Sequence, residues 1–224
     1  LALPIPEAFT DPTTIATIRV PGQVIGSVTI ADDGRRAILY TTAWDQIESV
    51  TVINLEDISD APRTVALRKA VKAIAIAPDG ENALVVHKKL DGSPDQVGLT
   101  EDEKIDRRYG YSVINLATSF AKLQVTDTEV GPFSIVPDGN YLFLLFNTEP
   151  SRLVQRVNLR NFLVDGVALG SRPVSIGAVE QSHKVFVSQE HADGRITFID
   201  WTAESLADAT ESVTGFELNS RIRQ

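Results

Sequence analysis

The side chains able to do chemistry sit in a few short polar stretches: Trp44 and Asp45; His87, Lys88 and Lys89; Asn147, Glu149 and Arg152; Gln189, Glu190, His191 and Asp193. Lys69, Lys72 and Arg172 lie between them at the joints of apolar segments. His191 flanked by Glu190 and Asp193 comes nearest to a metal or acid-base cluster. A metal site needs three or four ligands converging in space. Only His87 and His183 could add imidazole, and His183 falls at the opposite end of its segment. No metal and no cofactor is therefore expected. A serine hydrolase would need a nucleophile on a strained turn beside a base, and no Gly-x-Ser-x-Gly occurs. Glycine-rich phosphate loops are missing as well.

One further stretch, Leu90 to Arg108, collects Asp91, Ser93, Asp95, Glu101, Asp102, Glu103 and Asp106. Its spacing does not fit the calcium loop of an EF-hand, which wants carboxylates at positions one, three and five with glycine at six. It is expected to be a mobile, solvated excursion and the best place for a contact peculiar to its own unit.

Composition narrows the classes. With 43% hydrophobic and 23% charged residues, 224 residues suffice for a large core. The net charge of -9 argues against a nucleic-acid partner, whose phosphates demand clustered Lys and Arg. Cysteine is absent, which excludes disulfides, thiolate catalysis and covalent haem attachment. No apolar run is long enough to span a membrane as a helix. Methionine is missing even at position 1, so the sequence is read as processed or as an excerpt of something longer.

The elements that must position these residues are short strands. Val71 to Ile76 leads into Ala77-Pro78-Asp79-Gly80, and Ala83 to His87 leads out. Proline presets the first turn position, the Asp side chain bonds local backbone, and glycine accepts a positive φ. The same pattern returns at Val28 to Gly34 and at Phe133 to Gly139. A third strand in each unit ends on Asn54, Asn115, Asn158 or Asp200, read as a structural repeat mark. The marks recur at intervals of about 42 to 61 residues, a spacing typical of propeller blades. Tyr141 to Phe146 is apolar on both faces and must be covered on both. The fourth unit lacks the Asp-Gly hairpin and has Gln181-Ser182 in its place, with a candidate last strand at Val213 to Leu218. Thr202 to Ala209 could hold a turn or two of helix.

Together these residues resemble the YVTN-type (WD40-like) β-propeller repeat. Gly170-Ser171-Arg172-Pro173-Val174-Ser175-Ile176 matches its opening, Ile76-Ala77-Pro78-Asp79-Gly80 its hairpin and Val185-Phe186-Val187-Ser188 its second strand. The resemblance implies an all-β propeller of four-stranded antiparallel blades. Approximate blades are 24–70, 71–129, 130–170 and 171–220, after an extended lead-in over 1–14 and a strand over 15–20 that belongs to a preceding blade. About four blades are present, read as part of a seven- or eight-bladed ring.

In such a fold the loops joining second to third strands and blade to blade share one face, where ligands usually bind. Binding residues are therefore expected at Trp44, Asp45, His87, Lys88, Asn147, Glu149, Arg172, Glu190, His191 and Asp193. The expected function is a non-catalytic binding or scaffold module with a protein partner, among which the remaining blades of the same propeller count. It is placed in a secreted, periplasmic or cell-surface protein. The alternative is a lactonase-like hydrolase or a cofactor-dependent dehydrogenase whose catalytic residues lie partly outside this chain.

Overall fold

The structure is a computed structural model that describes residues 7–20, 22, 24–148 and 151–215. Among the described residues sixteen strands fall into four sheets of four. The first holds β1 (Ser27–Ile30), β2 (Arg36–Tyr40), β3 (Ser49–Asn54) and β4 (Arg63–Ala66). The second holds β5 (Val71–Ile76), β6 (Asn82–His87), β7 (Tyr109–Asn115) and β8 (Phe120–Thr126). The third holds β9 (Phe133–Ile135), β10 (Tyr141–Phe146), β11 (Leu153–Asn158) and β12 (Val164–Ala168). The fourth holds β13 (Pro173–Val179), β14 (Lys184–Gln189), β15 (Arg195–Asp200) and β16 (Thr210–Thr214). Within each sheet the strands lie in chain order and pair antiparallel, so these are four propeller blades.

Local chemistry explains the blades. Gly34, Gly80 and Gly139 take φ of 71°, 68° and 70° in the three Asp-Gly hairpins, a region open mainly to glycine. In each, the preceding Asp accepts from the backbone N–H two residues on: Asp33 from Arg35, Asp79 from Glu81 and Asp138 from Asn140. Asn54, Asn115 and Asn158 each accept two backbone N–H groups in the turn after the third strand, and Asp200 accepts from Thr202. The repeat marks are turn caps.

Neighbouring blades bury one another. Along β10, Leu142, Leu144 and Phe146 enter the core shared with the second blade, while Phe143 and Leu145 enter the core shared with the fourth. A third core joins the first blade to the second through Ile38, Val50, Val85 and Ile114. Each such side chain gains about 1.5 to 3 kcal/mol on leaving water, a gain that a lone sheet, wet on both faces, would not collect. β1 meets β5 and β9 meets β13 along one edge of the array, and β4 meets β8 along the other, as blades fanned about an axis require.

Several expectations are corrected. Within the lead-in, Glu7–Thr10 is a short helix, α1, and Pro12–Thr14 a 3-10 turn capped by Asp11, because proline suits a first helical position. Residues 1–6 lie outside the described set. Residues 15–20 form no strand; Ala16 makes an isolated bridge, and Ile18 and Val20 lie on the outer face of the first blade against Ala37, Leu39 and Ile53. The segment covers a sheet instead of extending one. Thr202 to Ala209 makes turns without a helix, and the last strand is Thr210–Thr214, with 216–218 outside the described residues. In the fourth hairpin, Glu180–Ser182 is a 3-10 turn closed by His183 at φ 52°.

Candidate binding face

Each blade's second-to-third-strand connection opens on the same side as the joint to the next blade, because the strands alternate in direction. The sequence-predicted residues separate into two groups on this face, one at each end of the array.

At the joint of the first and second blades the insertion decides the geometry. It holds helix α2 (Glu101–Asp106), whose first turn is fixed by a capping box: Glu103 N–H donates to Thr100 Oγ1, and Thr100 N–H to Glu103 Oε2. Lys69, only 1% exposed, extends beneath the helix, and its Nζ donates to the carbonyls of Ile105 at 2.7 Å and Asp106 at 2.9 Å. Arg68 pairs with Asp102 at 2.6 Å, and Leu90 N–H donates to Asp106 O at 2.9 Å. The excursion expected to be mobile is tied down at its helix and at its root. Burial lowers the pKa of Lys69, while Asp106 and Glu48 pull it back up.

Between this insertion and the blade joint lies an open cleft of about 460 Å³. A β-bulge between Val71 and Ala73 takes Lys72 out of the ladder, as bulges do when they re-aim a side chain, and Lys72 pairs with Glu129 across the next blade joint. Lys88 bridges blades, donating to Asp45 Oδ1 at 2.6 Å and Thr42 O at 2.5 Å. The Lys89 ammonium stands 5.5 Å from the centre of the Tyr109 ring. Trp44, next to Asp45, is 56% exposed.

His87 was expected on the rim and is corrected. It ends β6, a strand buried along its whole length, and is 2% exposed. Its Nε2 lies 2.7 Å from Ser112 Oγ and its Nδ1 3.3 Å from Ala70 O. Burial drives its pKa down to about 4, so the ring is uncharged at neutral pH and floors the cleft.

The joint of the third and fourth blades is stitched shut. Arg172 Nε donates to Asn147 O at 2.8 Å, and its Nη1 to Glu190 Oε1 at 3.3 Å. Gln189, 5% exposed, accepts from Ser171 N–H and donates to Thr197 Oγ1. A Cβ at Gly131 would run into the Asn147 side-chain amide and crowd Leu145 O at 3.1 Å, so the close approach there suits glycine. His191 Nδ1 accepts from Asp193 N–H within its own turn, whereas Glu190 turns away to Arg172. The trio does not converge, and among the described residues no group of three or more His, Asp or Glu is placed to hold a metal. Glu149 lies outside the described residues.

Asp45, His87 and Lys88 thus share the cleft, Asn147, Arg172 and Glu190 share the closed joint, and no hydrogen bond or ion pair links the two among the described residues. Sequence reasoning missed Tyr109 and Glu129. Their signals were Tyr109 as the first residue past the insertion and Glu129 just before Gly131-Pro132, the opening of a blade.

No protein-family model matches the chain, and no curated protein matches it in sequence. Among solved structures it is similar to Kuenenia stuttgartiensis hydrazine synthase, at 14% identity and a TM-score of 0.47. The match covers 81% of this chain, which spans 56% of the other.

Proposed function

We propose that this propeller is a non-catalytic binding module of the YVTN-like kind, which engages a protein partner through its loop-bearing face at the joint of the first two blades. The carrying observation is an open polar cleft at the root of the fixed insertion, lined by Leu90, Asp91 and Asp45, the last next in sequence to the exposed Trp44. An exposed indole next to a recess is the kind of side chain that dominates interface energetics. Further blades of the same propeller are a second partner on this reading, and a secreted, periplasmic or cell-surface setting accompanies the YVTN-type resemblance.

Chemical cross-linking of the intact protein in its native setting, read by mass spectrometry, tests the face. Cross-links to a partner are expected at Lys72, Lys88 and Lys89 and are expected to fall with Trp44→Ala. Partner cross-links confined to Lys122 and Lys184, with none in the cleft, would overturn the reading.

A further inference from the structure

The three joints within the chain bury residues at fixed positions. The third residue of each second strand faces the following blade, and Ile38, Leu84 and Phe143 are all buried there. Opposite them on the third strands stand Val52, Val113 and Arg156, and two residues earlier Val50, Tyr111 and Val154, buried as well. The fourth blade has apolar side chains at the same places, Phe186, Phe198 and Ile196, yet these are only half-buried. The first blade shows the converse face. Ile74 and Ile76 on β5, Ile135 on β9, and Ile176 and Ala178 on β13 pack into the core shared with the blade before. Val28 and Ile30 hold these positions on β1 and are 53% and 57% exposed, since Ile18 and Val20 cover only β2 and β3.

The hairpins give an independent sign. A Cβ at Gly80 would meet the Asp33 carboxylate of the blade before, and one at Gly139 would meet that of Asp79. Around the same point at Gly34 nothing among the described residues lies within 4 Å. The seat that a preceding hairpin fills at two joints stands open at the first blade.

We infer that these two faces take a second copy of this chain, docked head to tail, with the fourth blade of each copy on the first blade of the other. Phe186 then seats on Val28 and Ile30, as β10 meets β13 within the chain, while Ile196 and Phe198 close over Ile18 and Val20. Gln181, which stands in place of the hairpin Asp in the fourth unit, comes to Gly34. A head-to-tail contact either closes or runs on as a filament. Two copies make eight blades, at the upper end of the usual range of about 4 to 8, so the ring closes at two. The inference goes beyond the cleft reading and does not rest on it, because neither face contributes to the cleft's lining.

The test is sedimentation velocity on the whole chain over a concentration series at low and high salt. A species of twice the chain's mass is expected. Because the joints are apolar and each copy carries a net charge of -9, salt should hold or tighten it. Ile30→Asp and Phe186→Asp should each weaken the dimer at least about tenfold by burying a charge without a partner. Ile30 is exposed in the single chain, so its variant keeps the fold, and circular dichroism checks both. Mixed in equal amounts, the two variants should bind each other more tightly than either binds itself, because one joint then pairs two native faces. A native chain that stays monomeric at every concentration, a dimer that Ile30→Asp leaves intact, or a mixture no tighter than its components overturns the inference. A monomeric chain that still cross-links to a partner at Lys72, Lys88 and Lys89 loses the second copy and keeps the cleft.

Discussion

The two blade joints at the ends of this array start from the same repeat and finish differently. At the third and fourth blades the loops are short: Arg172 donates across the gap to Asn147 O and to Glu190, and Gln189 ties Ser171 N–H to Thr197. At the first and second, a long insertion cannot collapse onto the joint. A buried lysine ties its helix to the joint, and a cleft remains at its root. The lesson is that a repeat supplies a rigid frame and the site arises where one unit departs from it.

Breaking the closed end should cost most. Trp201, 1% exposed, fills the core between the third and fourth blades, and Trp201→Ala should destabilise by about 3 to 5 kcal/mol in denaturant unfolding. Trp201→Phe should cost far less, since its indole N–H finds no hydrogen-bond partner among the described residues. Neither should alter partner cross-linking at the cleft.

Acidification acts on the other end. The folded His87 titrates near 4 and an unfolded histidine near 6.5, so between these values the unfolded chain binds more protons. The stabilisation is complete above pH 6.5 and is lost as pH falls toward 4, by roughly 3 kcal/mol over the window. Unfolding midpoints measured across that range should show the slope, and His87→Gln should flatten it.

Lys69→Ala comes next, at about 2 kcal/mol, because it removes two hydrogen bonds from a buried ammonium, although the Ile105 and Asp106 carbonyls still accept from Arg108 N–H and Leu90 N–H. Smallest is the Lys88 and Asp45 pair. A double-mutant cycle should give a coupling of about 0.2 to 1 kcal/mol that shrinks with salt.

Much of the fold could be read from particular residues. Asp33-Gly34, Asp79-Gly80 and Asp138-Gly139 declare their turns, and the terminal Asn or Asp of each third strand declares its cap, because these depend on neighbours in sequence. Phe143 and Leu144 announced that both faces of a sheet are covered. Burial at the joints was harder to see. Lys69 looked like a solvated cation because nothing local shows that carbonyls from a helix some 36 positions away will meet its ammonium. His87 looked like a rim residue because it closes its strand and the next two residues, Lys88 and Lys89, are charged. The insertion's helix did leave a trace, the Thr100-x-x-Glu103 box, which its acidic composition masked.

The account turns on whether the insertion is a fixed wall, and amide hydrogen exchange reads this directly. Leu90 and Arg107, which donate to Asp106 O and Glu103 O, should exchange slowly in the native chain and far faster in Lys69→Ala, while the strands of the third and fourth blades stay unchanged. Exchange at both amides as fast as in an exposed turn, in the native chain itself, would contradict it.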